Sequence, residues 1–170
     1  MSNPFNPGAH EVTGREILDQ TDCKVDAWVA SIGTGGTLLG VARALKEKIP
    51  GVKVVGVEPV NTPLTDWART GKFDRYKDMF GVPKQRGIVD EILDKRLLDE
   101  VIRVNDREAR AMANRLCSEE GLFVGVSSGA NVIAALKVAQ EFGRGRNVVT
   151  VLVDRRDRYM GEFPNELYVT

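Results

Sequence analysis

Residues 25–59, VDAWVASIGTGGTLLGVARALKEKIPGVKVVGVEP, constrain the fold more than any other part of this chain. An apolar run over 25–32 passes through a Gly/Thr turn straight into a helical pattern over 36–49. Leu39, Val41, Ala42 and Leu45 mark the apolar side of that helix, and Pro50-Gly51 stops it. A second run, 52–59, is almost continuously β-branched, as expected for a parallel strand covered on both faces. Parallel strands need a crossover between them, and the helix supplies it.

The same alternation recurs along the chain. Residues 11–21 predict a helix with Val12, Ile17 and Leu18 on its apolar side, preceded by turn chemistry in NPFNPG at 3–8. Residues 62–70 predict a short helix, and 71–87 a polar loop of a length that is usually functional or disordered. A short strand is expected at 101–104. A helix then starts from a cap at Asn105 or Asp106 and stops at Gly121. A further helix is expected from about 128 to 142, and a third strong strand over 147–154. Strands alternating with helices predict a single α/β domain over 1–170, a parallel Rossmann-like sheet with helices on both faces.

In such sheets ligands lie beyond the carboxyl ends of the strands. The GTGGT turn falls at such an end. Gly33, Gly35 and Gly36 allow backbone N–H groups to approach an anion, Thr34 and Thr37 add hydroxyl donors, and the new helix N-terminus adds partial positive charge. VSSGAN, 126–131, sets two serines at the mouth of another helix, where one of them caps it or aims its hydroxyl at a ligand. The RRDRY segment begins at a third such end.

Bulk properties narrow the function classes. The chain has 170 residues, enough for one domain with a core, and its 24 basic residues balance 24 acidic ones, so no general nucleic-acid footprint is expected. No apolar run approaches a membrane span, and MSNPFNPGAH has neither the basic nor the apolar region of a secretory signal. Cys23 and Cys117 stand apart, without a CxxC or Cys/His cluster, which fits free thiols in a reducing, cytoplasmic setting and predicts no metal site. His10 is the sole histidine, so any Ser-His-Asp or Cys-His arrangement would need that residue.

Three segments together carry a family resemblance: NPFNPGAHEVTGREILDQ, then VDAWVASIGTGGTLLGVARALKEKIPGVKVVGVEP, then EEGLFVGVSSGANVIAALKVA. With gaps, from about Asn3 to Tyr159, the chain resembles the second half of the cysteine synthase (O-acetylserine sulfhydrylase) and cystathionine β-synthase family, fold-type II enzymes that use pyridoxal 5'-phosphate. The resemblance implies that Gly33, Thr34, Gly35, Gly36 and Thr37 hold the cofactor phosphate and that Ser127 faces the pyridine nitrogen. A neutral hydroxyl there suits β-elimination and replacement on an activated serine. Asp154 and the RRDRY segment match a polar stretch near the same edge of the ring. The substrate class implied is a small amino acid, and the assembly a homodimer or a pairing with a complementing N-terminal half.

Two departures from the family pattern bear on function. The Schiff-base lysine of the family sits in a motif like SxKDR, upstream of the matched region. No such motif occurs here, and none of Lys24, Lys46, Lys48, Lys53, Lys72, Lys77, Lys84, Lys95 and Lys137 matches its position. The resemblance therefore implies that the N-terminal, lysine-bearing domain and the loop that binds the substrate carboxylate are absent. Efficient chemistry needs that lysine, so the chain alone is expected to be inactive. Where relatives have a GIGxGF-like segment, this chain reads PKQRGIVDEILD, in which only Gly87-Ile88 agrees. Lys84 and Arg86 there either recognise an anionic substrate or are solvated loop charges. The sheet edges and apolar faces that the missing strands would cover are expected to be exposed. Two other readings compete. One is a non-catalytic regulatory or interaction subunit derived from such an enzyme. The other is a nucleotide-binding module, in which Glu58, at the end of the second strand, would hold a ribose.

Overall fold

The structure, a computed structural model, describes residues 6–61 and 96–159. Four strands, β1 (Ala27–Ser31), β2 (Lys53–Pro59), β3 (Glu100–Val104) and β4 (Val148–Thr150), form one all-parallel sheet in the order β3-β2-β1-β4. Helices α1 (Asn6–Gln20) and α2 (Gly36–Lys48) cover one face, and α3 (Asp106–Glu120) and α4 (Val126–Phe142) cover the other. The α/β class, with helices on both faces, agrees with the sequence expectation.

Period-two alternation along β1 divides the core. Trp28, Ala30 and Ile32 face Leu38, Leu39, Val41 and Leu45 of α2, while Ala27 and Val29 face Ala134 and Val138 of α4. Both sets are buried because β1 lies between two partners, with Val29 opposite Val55 on one side and Thr150 on the other. The Trp28 indole N–H, inside the core, donates to the Leu38 carbonyl at 3.3 Å.

Several boundaries follow local chemistry. Asn105 caps α3, its Oδ1 accepting from Arg107 N at 2.8 Å, and Gly121 ends the helix in the left-handed region at φ 71°. Other boundaries move. Helix α1 starts at Asn6 rather than 11, because Pro7 falls in the first turn, where its missing N–H would have had no helical partner. Strand β4 is three residues long instead of eight. Beyond Thr150 the backbone is recruited by α4: Asn131 Nδ2 donates to Val151 O at 2.9 Å, and Val153 N donates to Ser128 Oγ at 3.0 Å. The short helix expected at 62–70 and the loop expected at 71–87 lie outside the described residues, as do Lys84, Arg86 and Gly87-Ile88. As expected, apolar side chains beside the β4 edge are exposed, Leu152 at 41% and Val153 at 44%. Among the described residues no helix is long and apolar enough to cross a membrane, and no group of His, Cys, Asp or Glu is arranged to hold a metal.

Candidate functional site

The strands all end on one rim, and two cavities open there. The first, about 150 Å3, is walled by the loop between β1 and α2: Ser31, Gly33, Thr34, Gly35, Gly36 and Thr37, with Val153 closing one side. Gly35 holds the turn at φ 82°, a conformation that costs a side-chain-bearing residue energy. No side chain caps α2, so its first-turn N–H groups face this end with the helix dipole behind them. Among the described residues, chain neighbours aside, nothing lies within 4 Å of where a Cβ on Gly33 would stand. Among the described residues, then, the missing side chain at Gly33 relieves no crowding. It keeps the cavity open to an occupant, and a tetrahedral anion fits that donor set.

The second cavity, about 170 Å3, lies between the ends of β1, β2 and β3 and the start of α4. Ser31, Gly33, Glu58, Asp106 and Ser127 contribute to a wall that is otherwise apolar, with Val57, Val104, Ala109 and Val126. Ser31 and Gly33 line both cavities, so an anion in the first would lie beside the mostly apolar second.

The SSG motif resolves into two different serines. Helix α4 starts at Val126, two residues before the expected position, with Gly125 as N-cap and no side-chain cap hydrogen bond from that residue. Ser127 is exposed in the first turn and lines the second cavity. Ser128 is fully buried; its hydroxyl donates to Asp154 Oδ1 at 2.5 Å and accepts from Val153 N. The same carboxylate oxygen accepts from Ser128 N at 3.1 Å. Asp154 thus supplies through space the negative charge that the N-terminus of α4 lacks in sequence. It is turned toward Ser128, and the strap carrying it brings Val153 to the first cavity.

All six residues singled out for the cofactor line one or other cavity, Gly33 to Thr37 the first and Ser127 the second. Glu58 lines the second cavity as well, but its side chain is wholly buried and Oε1 accepts from Arg103 Nε at 3.0 Å, a use that competes with holding a ribose. Among the described residues no lysine lines either cavity. Lys46 pairs with Asp99 at 2.8 Å, and Lys53 with Glu100 and Glu141 at the opposite end of β2. Sequence reasoning missed His10 as a site neighbour: its Nε2 lies 3.3 Å from Thr37 Oγ1. The pair is separated by 27 residues, and only the packing of α1 on α2 joins them.

Comparison with known proteins bears on the family and the fold. A family model described as pyridoxal-phosphate dependent enzyme matches residues 1–154. Cysteine synthase of Staphylococcus aureus is 38% identical over 162 residues, 94% of this chain and 50% of that protein. Among solved structures, cysteine synthase from Entamoeba histolytica superposes with a TM-score of 0.80 at 32% identity, over 99% of this chain and 48% of that one. The O-acetylserine-dependent cystathionine β-synthase from Helicobacter pylori gives 0.80 at 34% identity, over 99% and 52%. The chain spans about half the length of the curated relatives it matches.

Proposed function

Since the chain belongs to the family of pyridoxal-phosphate-dependent enzymes, with pyridoxal phosphate as the family's cofactor, we propose that it forms the phosphate- and ring-binding half of a cysteine-synthase-like enzyme. The whole enzyme would carry out β-replacement on an activated serine, O-acetylserine with sulfide giving cysteine. The observation that carries this reading is the junction of the two cavities at Gly33, with anion donors on one side and Ser127 on the other.

Gly33 to Thr37 hold the phosphate through backbone N–H groups at the start of α2 and the hydroxyls of Thr34 and Thr37. Ser127 meets the ring nitrogen with a neutral hydroxyl, which places no full charge beside it. When bound, the cofactor supplies the electron sink for breaking and remaking a bond at the substrate β-carbon. The apolar wall of Val57, Val104, Ala109 and Val126 excludes water from the ring. The lysine comes from a segment outside these 170 residues, in the same or a companion polypeptide, and without it the chain binds the cofactor without turnover. What supports this is the sequence, in which no lysine stands in an SxKDR-like motif. The outer edge of β4, which pairs with no further strand among the described residues and has Leu152 and Val153 exposed beside it, is a surface for that segment or for a second copy.

Borohydride reduction of the chain with stoichiometric pyridoxal phosphate, followed by intact mass, tests this reading alongside a fluorescence titration of cofactor binding. Binding that phosphate displaces, without a stoichiometric pyridoxyl adduct, is expected. A single phosphate-sensitive adduct on one of the chain's own lysines would refute the need for an outside lysine. No binding at all would refute the cofactor site.

A further inference from the structure

Most side-chain hydroxyls of this chain are used internally. Those of Thr21, Ser118, Ser128 and Thr150 are held by partners within the protein, and that of Thr37 lies 3.3 Å from His10 Nε2. The hydroxyls of Ser31 and Ser127 have no partner among the described residues, and both residues line the second cavity. Of the two, Ser31 also lines the anion cavity. We infer that Ser31 is a further ligand-binding residue, whose hydroxyl donates to an oxygen of the bound phosphate on the side where the two cavities adjoin. The inference rests on the reading of the 33–37 loop as an anion cradle.

Strand alternation sets the direction of the side chain. Ala27 and Val29 of β1 pack toward α4, so the half-buried Ser31, two residues on, presents its side chain to that same face. In register with it on β2 stands Val57, buried and lining the second cavity, and the buried Val104 at the end of β3 continues this apolar floor. Ser31 is the polar member of the floor, and it stands at the end next to the anion loop. A β-branched residue there would extend the apolar surface and is favoured in strands. Serine gives up that burial for a hydroxyl, and a hydroxyl unspent within the protein is one of the few convergent polar groups that orient a ligand in a mostly apolar pocket. The partner follows from the place. A phosphate oxygen only accepts, so the hydroxyl donates to it. Among the described residues neither cavity is lined by a lysine, arginine or histidine. The anion therefore depends on neutral donors, and a single hydroxyl is a sizeable share of them.

Calorimetric titration of the full chain with inorganic phosphate and with pyridoxine 5'-phosphate, which lacks the aldehyde that reacts with lysines, tests the inference. Ser31→Ala should weaken both ligands roughly tenfold, the effect of one hydrogen bond to a charged group. Its urea midpoint should stay at the parent value, because the hydroxyl bonds nothing among the described residues. Ser31→Gly, which also lacks the hydroxyl, should lose as much affinity. Parent-like binding by Ser31→Ala would overturn the inference. So would a loss seen with pyridoxine phosphate alone, which would move the hydroxyl from the anion to the ring, or a fall in urea midpoint that accompanies the loss of affinity, which would make Ser31 structural. In each of these cases the cofactor reading stands. A parent chain that binds neither ligand overturns both.

Discussion

Replacing each serine of the SSG motif by alanine should produce opposite phenotypes. Ser128 is fully buried, and its hydroxyl is both donor to Asp154 Oδ1 at 2.5 Å and acceptor for Val153 N at 3.0 Å. Ser128→Ala removes a hydrogen bond to a charged group, worth about 1.5–3 kcal/mol, and strands the Val153 N–H, at about 1–3 kcal/mol. The carboxylate keeps Ser128 N at 3.1 Å, so the lower ends apply and the expected net loss is about 2–4 kcal/mol. Ser127 is exposed and lines the second cavity, where the proposed cofactor ring would lie. Ser127→Ala should leave stability within about 0.5 kcal/mol and weaken pyridoxal phosphate binding by one hydrogen bond, roughly two- to tenfold. Urea denaturation followed by circular dichroism reads the first effect as a lower midpoint at unchanged slope, and fluorescence titration reads the second. Equal stability losses in the two variants, or a Ser128→Ala variant as stable as the parent, would refute the division of labour.

Gly129 faces α3 so closely that a Cβ would stand 2.1 Å from the Ala109 carbonyl oxygen. Gly129→Ala should therefore destabilise by about 1–3 kcal/mol against a helix-propensity gain of about 1 kcal/mol, read as a lower urea midpoint. Asn105→Ala removes the α3 cap and should cost about 1 kcal/mol in the same assay, without changing cofactor affinity. The Asp26 carboxyl is held below its ordinary value by hydrogen bonds from Asn147 N at 2.7 Å and Arg146 at 2.9 Å. A depressed carboxyl stabilises the fold above its unfolded pKa, and that contribution disappears as the pH falls through the folded one. Asp26→Asn should accordingly be less stable at neutral pH and show a flatter loss of stability below about pH 4, measured by thermal melts across pH.

What could be read from the sequence was local. The βαβ unit over 25–59 declared itself because a β-branched run and a Gly-Thr turn carry their meaning within a few residues. The ends of α3 did so because Asn105 and Gly121 act on adjacent backbone. The misreadings were non-local. A serine at the mouth of α4 reads as a cap, yet the capping charge arrives from Asp154, 26 residues downstream. The apolar run 147–154 reads as a full strand, yet its second half bonds to Asn131 and Ser128 instead of to a neighbouring strand. In the sequence His10 suggests only membership of a nucleophilic triad, because its contact with Thr37 is created by a helix crossing that no local pattern announces.

These non-local contacts also decide how the two cavities stay in register. The anion loop is anchored from the α1/α2 face of the sheet, and Ser127 from the α3/α4 face, so the sheet itself separates the elements that carry them. Among the described residues they come together at the end of β1, whose Ile32 N donates to Val57 O just beyond the strand. On the β2 side that end is held by a five-residue register. On the β4 side the register stops at Val29–Thr150, two residues short of Ser31. The strap 151–154 bridges the gap, tied to α4 through Asn131, Ser128 and Gly125 and touching the anion cavity through Val153. Loosening the strap would let Ser127 drift from the loop while β1, α2 and β2 keep their core. Cofactor binding should therefore be more sensitive than global stability to changes in 151–154.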